Sequence, residues 1–417
     1  HNVLINQQDG RHIGRIPEPG YDAIIVDVPC SGSATTRKNV KVWEKWRPLD
    51  GRSLFTLQLN IAQSGARSLR PGRKMVYSTC SIDPIENEAV VAELLRSCPW
   101  LELVEIDEAI LPGLIMHAGL SDWEIIDSEG KPVEIIDTLP KLPGLKLGHI
   151  APRKRQLVDE EIDVNNEAYI AEQLKLTKRL YHMDNDTGGF FVALFRHKTS
   201  ATPEGKAKIY IPKRKLVQDS GWQPRVLEVK TGGRHAVIPA RVEDITQVCK
   251  QYQLNTEAIT WWTRGRRLNI TPDSVYERLY HPKCPNKEGN LWQNDTFHPL
   301  KIIHAGMPCF VNNKGTWRTR QEAIPTIEKI LGDVVVEIDN SMIIALLNDD
   351  AILKGDLLPE TMREYSGPLI LGSTVANHQV LVSAWSGNWI SLMIGTTEKD
   401  ILRAKLQLPF EHELEEE

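Results

Sequence analysis

At 417 residues with 41% apolar content, the chain is long enough for two or three domains and ordinary for globular protein. A net charge of −5 and a sequence pI near 6.2 exclude a global field that attracts nucleic acid, so any RNA contact must rest on local basic patches. Six cysteines without regular spacing, no signal-peptide pattern and no long apolar run point to an intracellular, soluble protein with reduced thiols.

The chain opens at His1, and Val3-Leu4-Ile5 reads as a strand running into an acidic turn at Asp9-Gly10. Opening inside a strand leads to the expectation of a fragment. Asp22-Ala23-Ile24-Ile25-Val26-Asp27-Val28 is nearly continuous apolar sequence, as expected of a parallel strand covered on both faces. It stops in Pro29-Cys30-Ser31-Gly32, a turn that exposes Asp27 and Cys30 at one sheet edge. In residues 33–51, Arg37, Lys38, Lys41, Lys45 and Arg47 interleave with Trp43 and Trp46. That composition suits either an RNA backbone with stacked bases or, more plainly, a Trp pair anchoring a loop on the core.

A crossover helix is expected from about Arg52 to Leu69, with Leu54, Leu57, Ile61, Gly65 and Leu69 at helical spacing and Pro71-Gly72 closing it. Met75-Val76-Tyr77 then reads as a buried strand ending at Ser78-Thr79. Asp83 suits a helix N-cap, with Pro84 at the first position, Glu86 three residues after the cap, and Ala89, Val90, Val91, Leu94 and Leu95 as the apolar face. Cys80 therefore lies between a strand end and a helix start, where open α/β sheets bind ligands and a helix N-terminus favours a thiolate. A single buried cysteine is ordinarily inert. A second one, Cys30, at the neighbouring strand end of the same βαβ unit points to chemistry instead.

Residues 108–184, with Pro112, Pro132, Pro140, Pro143, Pro152 and the acidic run Asp159-Glu160-Glu161, read as an insertion that makes a surface excursion. Arg153-Lys154-Arg155 reads as a solvated face. A helix from about Glu167 to Tyr181 returns the chain to the sheet, and Phe190 to Phe195 reads as its terminal, antiparallel-type strand. Residues 198–300 are polar, with Lys213-Arg214-Lys215 and a Trp261-Trp262-Thr263-Arg264-Gly265-Arg266-Arg267 cluster that suits RNA contact or a buried Trp pair with solvated arginines. His281, Cys284, His298, His304 and Cys309 match no zinc spacing, so no metal is expected. Short strands at 309–311, 334–336, 369–371, 379–382 and 389–394 suggest a small β-barrel-like domain, and the acidic end Glu413 to Glu417 a disordered tail.

Asp27-Val28-Pro29-Cys30-Ser31-Gly32 paired with Ser78-Thr79-Cys80-Ser81 resembles the Sun family of RNA cytosine-5 methyltransferases. Arg37-Lys38-Asn39, Trp43, Trp46 and Asn185-Asp186-Thr187-Gly188-Gly189-Phe190-Phe191 make it most similar to the eukaryotic branch of multisite-specific tRNA cytosine-5 methyltransferases. The resemblance is strong over 22–95, clear at 185–196 and weaker from about 300 to 408. It implies an α/β fold: the C-terminal part of a Rossmann-like sheet dependent on S-adenosylmethionine (1–197), a linker or irregular region (198–300), a β-rich PUA-like domain (301–410) and an acidic tail (411–417).

The resemblance further implies a tRNA substrate, no membrane and a nuclear location. It makes Cys80 the nucleophile that adds to carbon 6 of cytosine, and Cys30 the group that releases the product. Asp27 would hold the cytosine edge and border the cofactor, Asp9 would face its adenosine, and Gly188-Gly189-Phe190-Phe191 would lie beside the target base. Three departures stand out. Ser33-Ala34 replaces the family's Asp-Gly, His182-Met183 replaces Pro-His, and no glycine-rich strand-to-helix turn precedes Asp22. The last leads to the expectation that this polypeptide binds S-adenosylmethionine poorly and is inactive alone. A non-catalytic RNA-binding protein derived from such an enzyme is the alternative. A thiol-redox role is disfavoured because neither Cys30 nor Cys80 lies in a Cys-x-x-Cys motif.

Overall fold

In the computed structural model, residues 3–6, 9–12, 20–199, 237–257, 259–275, 302–332, 334–348, 352–375 and 378–408 are described. They fall into two units: Gln8–Arg214, and His1–Gln7 together with Lys215–Glu417. The first strand, β1 (Leu4–Asn6), pairs antiparallel with Ile302–Ala305, and Gly306 N donates to Val3 O. The strand expected at Val3-Leu4-Ile5 is thus present, and the ladder that satisfies the backbone groups of β1 lies within its own unit, not in the one that holds Cys30.

The unit Gln8–Arg214 is built on β2 (Tyr21–Asp27), α1 (Val40–Lys45), α2 (Pro48–Ser68), β3 (Leu69–Thr79), α3 (Glu88–Ser97), β4 (Leu101–Leu103), β5 (His117–Ala118), the hairpin β6 (Ile125–Ile126) and β7 (Pro132–Val133), α4 (Val164–Leu174), β8 (Lys178–Leu180), α5 (His182–Asn185) and β9 (Phe190–His197). Its main sheet runs β2-β3-β9-β8-β5, with β4 also on β9. Only β2 and β3 are parallel, with Asp27 opposite Ser78. The α/β class follows from this βαβ unit. β9 lies between β3 and β8, so it is antiparallel as expected but not terminal.

The apolar run of β2 does not mean burial on both faces. β2 is an edge strand, Ala23 is exposed and Ile25 is 78% exposed. The buried face of α2 is Phe55, Gln58, Ala62 and Ala66, one position from the Leu54-Leu57-Ile61 stripe, whose side chains are half-buried. Small residues explain the rotation: a Cβ on Gly65 would meet Val26 Cγ2 at 2.9 Å and Met75 Sδ at 3.1 Å, so the helix lies against β2 and β3 there. The stretch 108–184 is more than a surface excursion. It places Trp123, Ile125, Ile150, Ala151 and Ile170 in the core, and β5 and β8 in the main sheet. Arg155, expected on a solvated face, is buried beside Glu93 and Glu167.

The other unit holds β10 (Ile238–Pro239), α6 (Val242–Tyr252), β11 (Ile259–Arg264), β12 (Arg267–Pro272), β13 (Ile302–Ala305), β14 (Met307–Asn313), β15 (Thr316–Thr319), β16 (Val335–Glu337), β17 (Ile352–Leu353), β18 (Gly367–Val375), β19 (His378–Ser386) and β20 (Trp389–Leu392). Two five-stranded sheets result, β10-β11-β12-β14-β15 and β16-β18-β19-β20-β17. Residues 238–272, expected to be irregular, thus supply three strands and a helix. Gln321 ties the sheets, donating to Leu381 O and accepting from Ser383 N. Trp261 and Trp262 are buried in β11 while Arg266 and Arg267 are exposed. Lys213-Arg214-Lys215, His281, Cys284, His298 and the acidic end lie outside the described residues. Among the described residues, no helix is long and apolar enough to cross a membrane.

Candidate active site

The parallel pairing of β2 and β3 brings their C-terminal tips side by side, and each tip continues into a cysteine loop. Cys30 Sγ and Cys80 Sγ are 3.3 Å apart, both half-buried and both free thiols. Ala34 N donates to Cys80 O at 3.1 Å, which joins the two loops through the backbone. Asp27, exposed at the end of β2, accepts from Ser78 Oγ at 3.2 Å. Burial, then the adjoining Cys80 sulfur, pushes the Cys30 thiol up to about 12, so Cys30 holds its proton at neutral pH. It is the member of the pair fitted to donate S–H to the other sulfur. The helix after Cys80 starts at Glu88 and not at Pro84: Asp83 caps a turn, accepting from Ile85 N. The expectation that a helix N-terminus favours a thiolate at Cys80 is therefore not met.

Glu86 is a site residue that the local sequence pattern does not reveal. Fully buried, its carboxylate accepts from Ser31 N (2.8 Å) and Ser31 Oγ beside Cys30, from Ser81 Oγ (2.8 Å) beside Cys80, and from Gln58 Nε2 (2.9 Å) of α2. One carboxylate thereby fixes both cysteine loops. Around it, Tyr77 OH donates to Glu86 O, Thr79 Oγ1 donates to Asn87 Oδ1 and Asn87 Nδ2 donates to Ser81 O. Arg179 of β8 forms a buried bidentate pair with Glu88 and donates to Ile82 O, two residues past Cys80. The available signal is three polar residues, Glu86-Asn87-Glu88, in a segment otherwise apolar enough to be core.

The more distant motif converges on the same loops. Gly189 N donates to Ala34 O at 3.0 Å, and a Cβ on Gly189 would meet Ala34 Cβ at 2.8 Å, so only glycine allows this approach. Arg37 pairs with Asp186 at 2.5 Å. Trp46 anchors its loop as expected, half-buried with Nε1 donating to Ser31 Oγ at 3.1 Å, whereas Trp43 is exposed. Asp9 stands on the turn before Gly10–His12 with its carboxylate held by Arg11, Nη2 to Oδ2 at 2.6 Å. A cofactor adenosine at Asp9 would have to compete with that guanidinium. The exposed carboxylate of Asp27, three residues before Cys30, fits the positive charge of a sulfonium. Among the described residues, no group of three His, Cys, Asp or Glu side chains is placed to hold a metal.

The site thus offers two adjoining thiols at neighbouring strand tips of an α/β sheet, the kind of side chain that serves nucleophilic chemistry. Residues 1–114 match the family model described as 16S rRNA methyltransferase RsmB/F. It is similar to the multisite-specific tRNA:(cytosine-C(5))-methyltransferase of Saccharomyces cerevisiae, 28% identical over 94% of this chain and 60% of that protein. It is also similar to the tRNA (cytosine(34)-C(5))-methyltransferase of Drosophila melanogaster, 36% identical over 79% of this chain and 46% of the relative. The multisite-specific tRNA:(cytosine-C(5))-methyltransferase trm4b of Schizosaccharomyces pombe is 37% identical over 42% of this chain and 24% of that protein. The chain spans roughly half the length of the first two relatives. The family resemblance drawn from the two cysteine motifs is borne out.

Proposed function

We propose that this chain carries the chemical centre of an S-adenosylmethionine-dependent tRNA cytosine-5 methyltransferase. The observation that carries the reading is the pair of sulfurs 3.3 Å apart. S-adenosylmethionine, when bound, supplies an electrophilic methyl group on a sulfonium. Cytosine carbon 5 is a poor nucleophile, so Cys80 forms a sulfur–carbon bond at carbon 6, which makes carbon 5 an enamine carbon able to take the methyl group. The Cys80 proton passes to ring nitrogen N3 of the cytosine as the bond forms, and Asp27 holds that edge by accepting from the N3–H. Cys30, as thiolate once its own proton has passed to solvent, takes the carbon 5 proton; the carbon 6–sulfur bond then breaks and Cys80 leaves, taking back the proton held on N3.

The raised affinity of Cys30 for its proton fits this order. Part of the upward push comes from the Cys80 sulfur, and that part disappears once Cys80 is bonded to carbon. Cys30 thus gives up its proton more readily in the adduct, when a thiolate is needed to act as base. The sheet β16-β18-β19-β20-β17 and its neighbours supply a PUA-like RNA-binding part in this reading, and the first unit supplies the methyltransferase part.

The test uses the chain with any sequence that naturally flanks it, incubated with tRNA and S-adenosylmethionine. Cys80→Ser abolishes methylation and traps no RNA, whereas Cys30→Ser accumulates a covalent protein–RNA adduct that survives denaturing electrophoresis. An adduct that persists in Cys80→Ser and vanishes in Cys30→Ser reverses the two roles.

A further inference from the structure

Trp43 takes no part in the cysteine cluster, yet it is 77% exposed on α1, a six-residue helix with no buried side chain. Its ring forms part of a cavity of about 420 Å³, walled also by Trp46, Ile82 and Ile126 with Ser33 among the polar groups. That volume falls in the range of pockets that take one small ligand, here the size of a nucleoside. Asp27, Cys30 and Cys80 do not line it, so it is a separate compartment. Its walls are nevertheless continuous with both cysteine loops. Ser33 follows Cys30 by three positions and Ile82 follows Cys80 by two, and Ile82 N donates to Ser33 Oγ at 3.0 Å. Lys38, Lys41 and Lys45, exposed on the same segment, place cations where the phosphates of a strand entering the site would run.

We propose that this cavity receives the nucleobase adjacent to the target cytosine, stacked on Trp43. The proposal rests on the reading of the chain as an RNA methyltransferase. When a base leaves its stack to reach the cysteines, its neighbour loses a stacking face, and an indole beside the strand tips restores it. The apolar walls suit the face of any base, so the cavity secures the strand next to the reacting nucleotide.

The test is equilibrium binding of fluorescein-labelled pentaribonucleotides, abasic except for a central cytosine or for that cytosine and one adjacent adenine. In the parent chain an adenine on one side tightens binding about tenfold, the scale of one base–aromatic stack. Trp43→Ala, which removes the platform, and Ile126→Trp, which fills the cavity, each abolish that gain and leave the affinity for the cytosine-only RNA unchanged. Because α1 buries nothing, Trp43→Ala keeps its thermal unfolding midpoint. An adenine gain that survives Trp43→Ala, or is absent in the parent, overturns the proposal. So does a Trp43→Ala variant that binds S-adenosylhomocysteine more weakly, since the cavity would then serve the cofactor's adenine. A Cys30→Ser variant that forms no adduct while the adenine gain persists removes the methyltransferase chemistry and leaves the cavity assignment standing.

Discussion

Behind the two cysteines the interior is polar; where the two C-terminal sheets meet it is mainly apolar. Thr79, Ser81, Glu86, Asn87, Glu88 and Arg179 are all buried next to the strand tips. The C-terminal sheets close instead over Tyr252, Trp261, Phe310, Trp317 and Ile370, with ring contacts between Tyr252 and Phe310 and between Trp261 and Phe310. Apolar packing stabilises without dictating direction, and volume-conserving changes are tolerated. A buried carboxylate with four donors imposes direction, at a desolvation cost that must be offset by every bond being made. The chain uses the costly arrangement where two sulfurs must be held together, and the cheaper one where only a scaffold is needed.

The sharpest way to break this comparison is Arg179→Met, which leaves Glu88 buried without its partner. Urea denaturation should show a loss of about 3–5 kcal/mol, and alkylation of the cysteine pair should change because Ile82 O loses its donor. A loss under about 1 kcal/mol, on the scale of an exposed ion pair, would mean the polar interior is not structural.

Asp83→Asn tests the polar interior through pH. Burial, the largest influence, pushes the Asp83 carboxyl up to about 7 from 3.8, so between those values the folded state keeps a proton that the unfolded state releases. Stability therefore falls as pH rises from about 4 to 7 and levels above, by at most about 4 kcal/mol. Asparagine cannot ionise, so the stability of the variant relative to the parent rises across that window. Burial pushes His149 down to about 4 from 6.5, with the opposite sign over the same range. His149 is common to both proteins, so it cancels in the difference. A flat difference between pH 4 and 7 rules out this account of Asp83.

Glu86→Gln sharpens the comparison at the site itself. Glutamine keeps the shape but loses the charge and one acceptor, at a cost of about 1–3 kcal/mol. Removing the charge also removes one upward influence on Cys30, so the alkylation midpoint of Cys30 moves to lower pH. An unchanged midpoint would show that Glu86 positions the loops without acting on the thiol. Smallest is Ile370→Val in the apolar unit, about 0.5–1.5 kcal/mol by thermal unfolding, with cysteine reactivity unmoved.

The strand tips are legible in the residues themselves, because a β-branched apolar run followed by Pro-Cys or Thr-Cys marks a strand end whatever surrounds it. The face of α2 is not. Leu54, Leu57 and Ile61 have the helical period, yet Phe55, Ala62 and Ala66 are buried, because close approach at Gly65 outweighs side-chain size. The two tryptophan-and-basic segments look alike in sequence and end oppositely. Trp262 is sealed in a strand with Nε1 donating to Thr271 Oγ1, and Trp43 stands on a short helix with nothing packed over it. Glu86 shows the same limit: its spacing from Asp83 suggests a helix cap, and only the fold brings Ser31 and Ser81 to it.

Local order was thus determined by the sequence alone: which segments are strands, where they stop, and that a cysteine follows each of two neighbouring ones. Those properties depend on residues a few positions apart. Which faces are buried, that β1 joins the second unit, that one carboxylate holds both cysteine loops and that Trp43 lines a cavity were decided only by tertiary structure. Each depends on groups tens of residues apart in the chain, and their approach is set by packing and backbone pairing that no local pattern encodes.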